Sequence, residues 1–482
     1  NRFIHLICFT SEGIFGTPLN ASATFIATFI ILGALFSVTG VGPYMCELAN
    51  ALLGGFRGGP AKVAVVSSAL FGSISGSAVA NVVGTGTFTI PLMKSIGYDA
   101  EFAGAVEATA STGGAIMPPV MGASAFLMAE FVGVKYWDVV VAAFIPALMY
   151  YLAVLFQVDL YALKNGLHGE ARENLPSLKK TIRGIWKLSP IVLLIILIGP
   201  VGFTVQKCGI LTVTYTILLS FVSKDTRFNK ERIKAFISDA AHGCLTVAIA
   251  TAAAGIIIGT VTGTGLSVRL SSVLVKLAGG NFAVLLILTM LASLLLGMGL
   301  PSAACYLLLA SLVAPTMVKL GAPIMAAHLF VLYFGVISNV TPPVAMAAYA
   351  GAGIAKCNPV KCGVKAFKLA IGGFLLPFFF VYNDVLLMNG SGLEVAQAAV
   401  MATIGIYCIA FALEGYIWTA PIDIFARVAM AAAGLLTIHP ATFTDLIGIA
   451  IIVAVHLLYN AKFRKSGGRK AATARVSGTQ KQ

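Results

Sequence analysis

Apolar runs alternate with short polar or Gly/Pro-rich interruptions along the whole chain. The runs cover about 19–39, 60–93, 101–133, 137–163, 188–206, 208–222, 235–262, 281–318, 321–355, 365–388, 395–413, 421–437 and 443–460. At about 20 residues per crossing of a bilayer, this pattern predicts an all-α polytopic membrane protein of a dozen or so spans. Residues 43–56 read as an interfacial amphipathic helix, and 164–187 and 223–234 as polar loops. From Lys462 onward, basic residues mix with Gly, Ser and Thr without apolar period, which predicts a disordered tail.

Four segments depart from plain spans. Residues 72–91 (GSISGSAVANVVGTGTFTIP) and 297–315 (GMGLPSAACYLLLASLVAP) are rich in Gly, Ser and Pro. Residues 111–120 (STGGAIMPPV) and 335–344 (GVISNVTPPV) each carry a Pro-Pro pair in mid-run. Proline removes an N–H and clashes with the preceding turn, so each pair should break its helix.

These segments form an internal repeat. An offset of 224 carries Pro91 to Pro315, Gly97 to Gly321, Ala103 to Ala327, Pro118 and Pro119 to Pro342 and Pro343, Val120 to Val344 and Ala123 to Ala347. An offset of 225 carries Gly72 to Gly297 and Ser77 to Ser302. Each copy is therefore a hairpin followed by a Pro-Pro-broken helix. If each hairpin is re-entrant and every other run crosses once, 26 of the 32 Lys and Arg fall on one face, leaving Arg2, Lys135, Lys207, Arg269, Lys276 and Lys319 opposite. That asymmetry marks the cytoplasmic side and puts the C-terminus there. In this layout the two broken helices run in opposite directions, so the repeats are inverted.

Composition removes the soluble classes. The chain is 59% hydrophobic and only 10% charged, where soluble domains carry about 25% charge. The net charge of +14 records membrane orientation and no nucleic-acid surface, because no aromatic-rich basic patch accompanies it. The eight cysteines include no CxxC pair and mostly sit in apolar runs, which argues against a disulfide or metal framework. No phosphate-binding Gly-x-x-x-x-Gly-Lys-Ser/Thr loop, H-E-x-x-H or G-x-S-x-G occurs, so a pump or a membrane enzyme is disfavoured. The chain opens on Asn1 with no charged leader, which reads as a fragment whose upstream part is missing.

Two inverted copies bring four interruptions together near the midplane, where exposed carbonyls and Ser, Thr and Asn oxygens can ligate Na⁺ and half-helix N-termini can face an anion. Expected substrate-binding residues are Ser75, Ser77, Asn81, Thr112, Pro118, Ser302, Thr341 and Pro342. Expected Na⁺ ligands are Ser73, Ser75, Gly113, Gly114, Gly299, Ser338, Asn339 and Thr341. Small residues at these places also permit plain helix packing, the reading that suits Gly259, Gly263 and Gly265. Glu107, Glu130, His242 and His328 are ionisable groups within apolar runs, open to a coupling role or a structural one. Glu107 has no charged counterpart at the repeat offset, where Val331 stands.

The segments FGSISGSAVANVVGTGTFTIPLMKSIGY, EFAGAVEATASTGGAIMPPVMGASAFLMAEF, LLGMGLPSAACYLLLASLVAP, AHLFVLYFGVISNVTPPVAMAAYAGAGIA and FVYND resemble the large membrane (M) subunit of tripartite ATP-independent periplasmic (TRAP) transporters, TAXI-type branch, from about Ser11 to Asp384. The resemblance implies an elevator-type secondary transporter in a bacterial or archaeal inner membrane. It would import an organic acid delivered by a periplasmic (extracytoplasmic) binding protein, driven by Na⁺, with a small Q subunit or its fused equivalent. At residue 302 Ser stands where the family often has Thr. The alternative is a Na⁺- or H⁺-coupled carboxylate carrier without a binding protein. The expected division is 1–59 (first span and interfacial helix), 60–134 (first transport repeat), 135–280 (scaffold spans), 281–356 (second repeat), 357–390 (scaffold span), 391–461 (extra C-terminal spans) and 462–482 (basic tail).

Overall fold

The computed structural model describes residues 2–10, 13–223, 226–417, 420–438 and 442–465. The described residues are almost wholly helical, apart from an antiparallel strand pair, Tyr416–Ile417 with Ala420–Pro421. Among the described residues six helices are long and apolar enough to cross a membrane: Thr17–Val38, Tyr136–Asn165, Lys230–Thr264, Ser302–Lys319, Pro359–Tyr382 and Gly392–Glu414. Shorter apolar helices of 10–17 residues fill the remaining runs. The protein is an all-α polytopic membrane protein.

Local chemistry sets the helix ends. Lys230–Thr264 starts where the Asn229 side chain accepts the Arg232 N–H at 2.8 Å and stops at Gly265, whose φ is +65°. Its 35 residues give a rod about 52 Å long at roughly 1.5 Å per residue, enough to span with tilt. Tyr136–Asn165 ends likewise at left-handed Gly166.

Several sequence expectations need correction. Run 60–93 is two helices, Gly59–Ser75 and Ala78–Ser95, and run 281–318 is three, Phe282–Gly297, Ser302–Leu312 and Ala314–Lys319. The polar loop 164–187 contains the helical turn Leu178–Ile182, onto which the Tyr44 hydroxyl donates at Thr181 O (2.9 Å). A further helix, Leu266–Ala278, follows Gly265 where no element was expected. The final helix, Thr442–Lys465, runs past Lys462, so the basic tail begins later than expected; the rest of it, 466–482, lies outside the described residues.

The repeat is visible element by element. Helix Ala100–Gly113, the 3-10 turn Gly114–Ile116 and helix Ala123–Val132 match Ile324–Ile337, Ser338–Val340 and Met346–Ala355. The first two pairs agree to the residue at the offset of 224, the third within one residue. Backbone angles agree as well: Met117 has φ −90° and ψ 119°, Thr341 has φ −97° and ψ 121°. Both Pro-Pro bonds are cis, and Met121 and Ala345 both have positive φ.

The C-terminal helices Gly392–Glu414, Ile424–Ile438 and Thr442–Lys465 pack on one another and close a second small core. Buried Glu414 fastens this unit, receiving Lys368 Nζ at 2.8 Å on its carboxylate and Lys164 Nζ at 3.1 Å on its carbonyl.

Candidate functional site

In each copy, the end of the first hairpin helix abuts the break of the helix that follows. A Cβ on Gly114 would lie 2.5 Å from Gly72 Cα, so these two backbones touch. At the matching place, Ser338 Oγ donates to Gly297 O at 3.0 Å. The first copy adds a backbone bond, Val120 N to Ser73 O at 3.0 Å, that fixes the hairpin tip to the segment after Pro119. Gly76 and Gly122 then meet face to face.

The two breaks are neighbours. Helix Ala100–Gly113 packs against the turn Ser338–Val340, and helix Ile324–Ile337 packs against the turn Gly114–Ile116. The same helix of the first copy crosses Met346–Ala355 of the second at Gly104 and Gly351, each glycine facing the other's backbone. These reciprocal contacts are what a pseudo-two-fold axis through the breaks requires.

Of the expected residues, Ser73, Asn81, Thr112, Gly113, Gly114, Ser338, Asn339 and Thr341 are buried. Pro118, Pro342, Ser75 and Ser302 are half-buried, while Gly299 at the second hairpin tip and Ser77 are exposed. Ser77 caps Ala78–Ser95, accepting Ala80 N–H at 3.4 Å. Most of the side chains bond first to their own backbone. Ser73 donates to Leu70 O (2.8 Å), Thr112 to Ala108 O (2.8 Å), Thr341 to Ile337 O (3.0 Å) and Asn339 Nδ2 to Val336 O (2.9 Å). Each therefore has its proton committed and an oxygen still able to accept a cation. Ser75 Oγ is buried without a hydrogen-bond partner at the hairpin tip.

Two tyrosines brace the first break. Gly113 lies against the rings of Tyr150 and Tyr151, whose hydroxyls donate to Thr109 O at 2.8 Å and Ala110 O at 3.0 Å. Tyr150→Phe and Tyr151→Phe keep the ring and lose the donor. Each is expected to cost about 1 kcal/mol, read as a lowered melting temperature of the purified protein; an unchanged melting temperature would remove that bond from the brace.

The intramembrane ionisable groups separate clearly. Glu130 and His242 are exposed, His242 bonded to Ser238 O at 2.7 Å, while His328 is buried against the Tyr306 hydroxyl at 2.8 Å. Glu130 lines a cavity of about 440 Å³ bounded also by Thr17, Gly255 and Thr262, away from both breaks. Glu107 is fully buried in a ring of hydroxyls from Ser68, Thr85, Thr89 and Ser111. Glu107 stands out in the sequence as a lone intramembrane carboxyl, whereas its ring of hydroxyls is drawn from separate helices. The signal was present, since Asn81, Thr85 and Thr89 recur every fourth residue on one helix face, as do Glu107 and Ser111.

Paired, reciprocally packed broken helices inside a polytopic bundle are the architecture that secondary transporters use. The chain matches the model of the tripartite ATP-independent periplasmic transporter family, DctM component, over residues 10–395. It belongs to that family, whose members are transporters and not enzymes. Among relatives, it is 26% identical over 374 residues to the isethionate TRAP transporter permease protein DctMQ of Oleidesulfovibrio alaskensis, covering 74% of this chain and 55% of that one. It is 26% identical over 368 residues to the sialic acid TRAP transporter permease protein SiaT of Haemophilus influenzae, covering 73% and 56% respectively. A third relative, the C4-dicarboxylate TRAP transporter large permease protein DctM of Pseudomonas aeruginosa, is 27% identical over 222 residues, 45% of this chain and 51% of that one. The chain thus spans just over half the length of these relatives.

Proposed function

We propose that this chain is the permease subunit of a binding-protein-dependent secondary transporter that imports an organic acid on a Na⁺ gradient. The observation that carries this reading is the reciprocal packing of the two breaks. It gathers backbone carbonyls and hydroxyl oxygens where membrane-buried polar groups otherwise cost several kcal/mol each. The names of three relatives, for isethionate, sialic acid and C4-dicarboxylates, support an organic acid as cargo.

In this reading both hairpins are re-entrant and the copies are inverted. Residues 60–134 and 281–356 move as the transport unit of an elevator against the remaining spans. Ser73, Ser75, Gly113, Gly114, Gly299, Ser338, Asn339 and Thr341 hold Na⁺ through neutral oxygens; among the described residues no His/Cys/Asp/Glu cluster offers a harder-charged alternative. Ser75, Ser77, Asn81, Thr112, Pro118, Ser302, Thr341 and Pro342 face the acid. The protein sits in the inner membrane with its C-terminus cytoplasmic, partnered by a periplasmic binding protein and a small Q subunit or its fused equivalent, and is of the TAXI type.

Reconstitution with the cognate binding protein tests this. Uptake of labelled organic acids should require the binding protein and rise with an inward Na⁺ gradient; uptake indifferent to Na⁺ overturns the coupling. Asn339→Ala removes the amide whose Oδ1 is the acceptor end left after Nδ2 bonds Val336 O. A weaker apparent Na⁺ affinity is expected in that variant, and wild-type Na⁺ dependence would take Asn339 out of the site.

A further inference from the structure

We propose that Glu107 is a proton-binding site whose loading is linked to the movement of the first hairpin. Its carboxyl lies in the helix before the first break, and its ring of partners comes from three helices. Ser68 Oγ of Gly59–Ser75 stands 2.7 Å from Oε1, Thr85 Oγ1 of Ala78–Ser95 at 2.5 Å and Ser111 Oγ of its own helix at 3.0 Å. Thr89 Oγ1, also on Ala78–Ser95, bonds Oε2. The carboxyl thus ties both hairpin helices to the broken helix.

The ring is satisfied with the carboxyl in either charge state, and this distinguishes a proton site from a structural acid. When Glu107 is ionised, Ser68 and Ser111 donate to Oε1 and Thr89 to Oε2. When it is protonated at Oε2, that O–H donates to Thr89 Oγ1, and the Thr89 proton turns to Thr85 O, 3.1 Å away. Thr85 likewise has a second acceptor, Asn81 O, at 2.9 Å. Rotation of two O–H bonds therefore carries the network between states with no buried donor or acceptor orphaned and no heavy atom displaced. The proton comes from, and returns to, the water on whichever side the site opens.

No cation among the described residues neutralises the carboxylate. Among the described residues its ionisable neighbours are Cys46 on Val41–Leu53 and Tyr151 on Tyr136–Asn165, both neutral groups. The lysines of the packed hairpin and scaffold helices are directed elsewhere: Lys62 to Asp159 at 2.6 Å, Lys94 to Ala355 O at 3.0 Å, Lys365 to Asp99 and Glu101 and Lys368 to Glu414, while Lys361 is exposed. His328 on Ile324–Ile337 is turned to Tyr306. An uncompensated buried charge is costly, so the ionised form holds the hydroxyls more tightly than the neutral form, whose hydrogen bonds are weaker. Nor is there room for a metal ion, since even a Cβ on Gly86 would approach Glu107 Cγ to 2.9 Å. A proton needs no volume.

The test reads the proton directly. In the purified full chain, the infrared carbonyl band of a protonated carboxyl should fade as pH rises, and Glu107→Gln, which mimics the protonated form, should lack it. Thr89→Val deletes one donor to the ionised form, so it should move the midpoint of that band to higher pH. A titrating band unchanged in Glu107→Gln, or no titrating band in the wild type, overturns the site; an unmoved midpoint in Thr89→Val overturns the ring. The link to movement rests on the transport reading and has its own arm. In proteoliposomes with the binding protein, an inward pH gradient should drive organic-acid uptake in the wild type and not in Glu107→Gln. Uptake driven equally by that gradient in both refutes the link. Absence of wild-type uptake under any gradient instead refutes the transport reading and leaves the infrared result standing.

Discussion

Gly122→Val is expected to leave almost no folded protein, where Gly133→Ala leaves a nearly normal yield. Gly122 sits after the first Pro-Pro pair at φ +76° and ψ −176°, a region essentially reserved for glycine. A Cβ there would lie 2.7 Å from Gly76 O and 2.9 Å from Gly76 Cα, closer than real Cβ atoms come. What it would strike is backbone, and that backbone is itself held, since Val120 N bonds Ser73 O beside it. The conformational strain is about 1–3 kcal/mol and the overpacking about 1–3 kcal/mol more. Together these rival a large share of a typical stability of about 5–15 kcal/mol. Gly133 isolates the two terms, because its φ of +74° is followed by empty space on the Cβ side. Only the left-handed penalty of about 1–2 kcal/mol should then apply. Size-exclusion yield and melting temperature of the two variants decide the matter; a well-folded Gly122→Val would mean that the hairpin tip and the break are not rigidly apposed.

Each Pro-Pro pair announced its break, because proline's missing N–H acts locally and needs no knowledge of neighbours. The offset of 224 then predicted the second copy's turn to the residue, Gly114–Ile116 against Ser338–Val340. Contacts within and between the copies were not legible in the same way. That Gly72 touches Gly114, or that Gly104 crosses Gly351, depends on how helices far apart in sequence pack. Helix Leu266–Ala278 escaped notice for a different reason: with Arg269, Lys276 and three serines among 13 residues, it lacks the hydropathy that made its neighbours plain. Glu107 was visible as an odd charge, yet a lone carboxyl does not say whether it meets a cation, water or hydroxyls. Its ring is assembled from positions 68, 85, 89 and 111, and only the fold brings those together.

Asn81→Asp is expected to be the most damaging single-atom-scale change in the first repeat. Asn81 is fully buried, and its Nδ2 donates to Ser68 O at 2.9 Å and Ser111 O at 3.3 Å, joining the hairpin to the broken helix. Aspartate deletes both donors and turns an oxygen toward two carbonyls, at a cost of about 1–3 kcal/mol for each group left unsatisfied. If ionised, it also sets a second carboxylate one hydroxyl away from Glu107, since Thr85 Oγ1 lies 3.4 Å from Asn81 Oδ1 and 2.5 Å from Glu107 Oε1. An unpaired buried charge adds about 3–5 kcal/mol. Asn81→Ala carries only the first of these costs and should fold at reduced melting temperature, while Asn81→Asp should be recovered poorly or not at all. Adding Glu107→Gln separates the contributions. If the two carboxyls repel through Thr85, Asn81→Asp with Glu107→Gln is more stable than Asn81→Asp alone, with a coupling of about 0.5–3 kcal/mol. Strict additivity in melting experiments would show that the asparagine acts through its two backbone bonds alone, and that the charge on Glu107 is not felt one hydroxyl away.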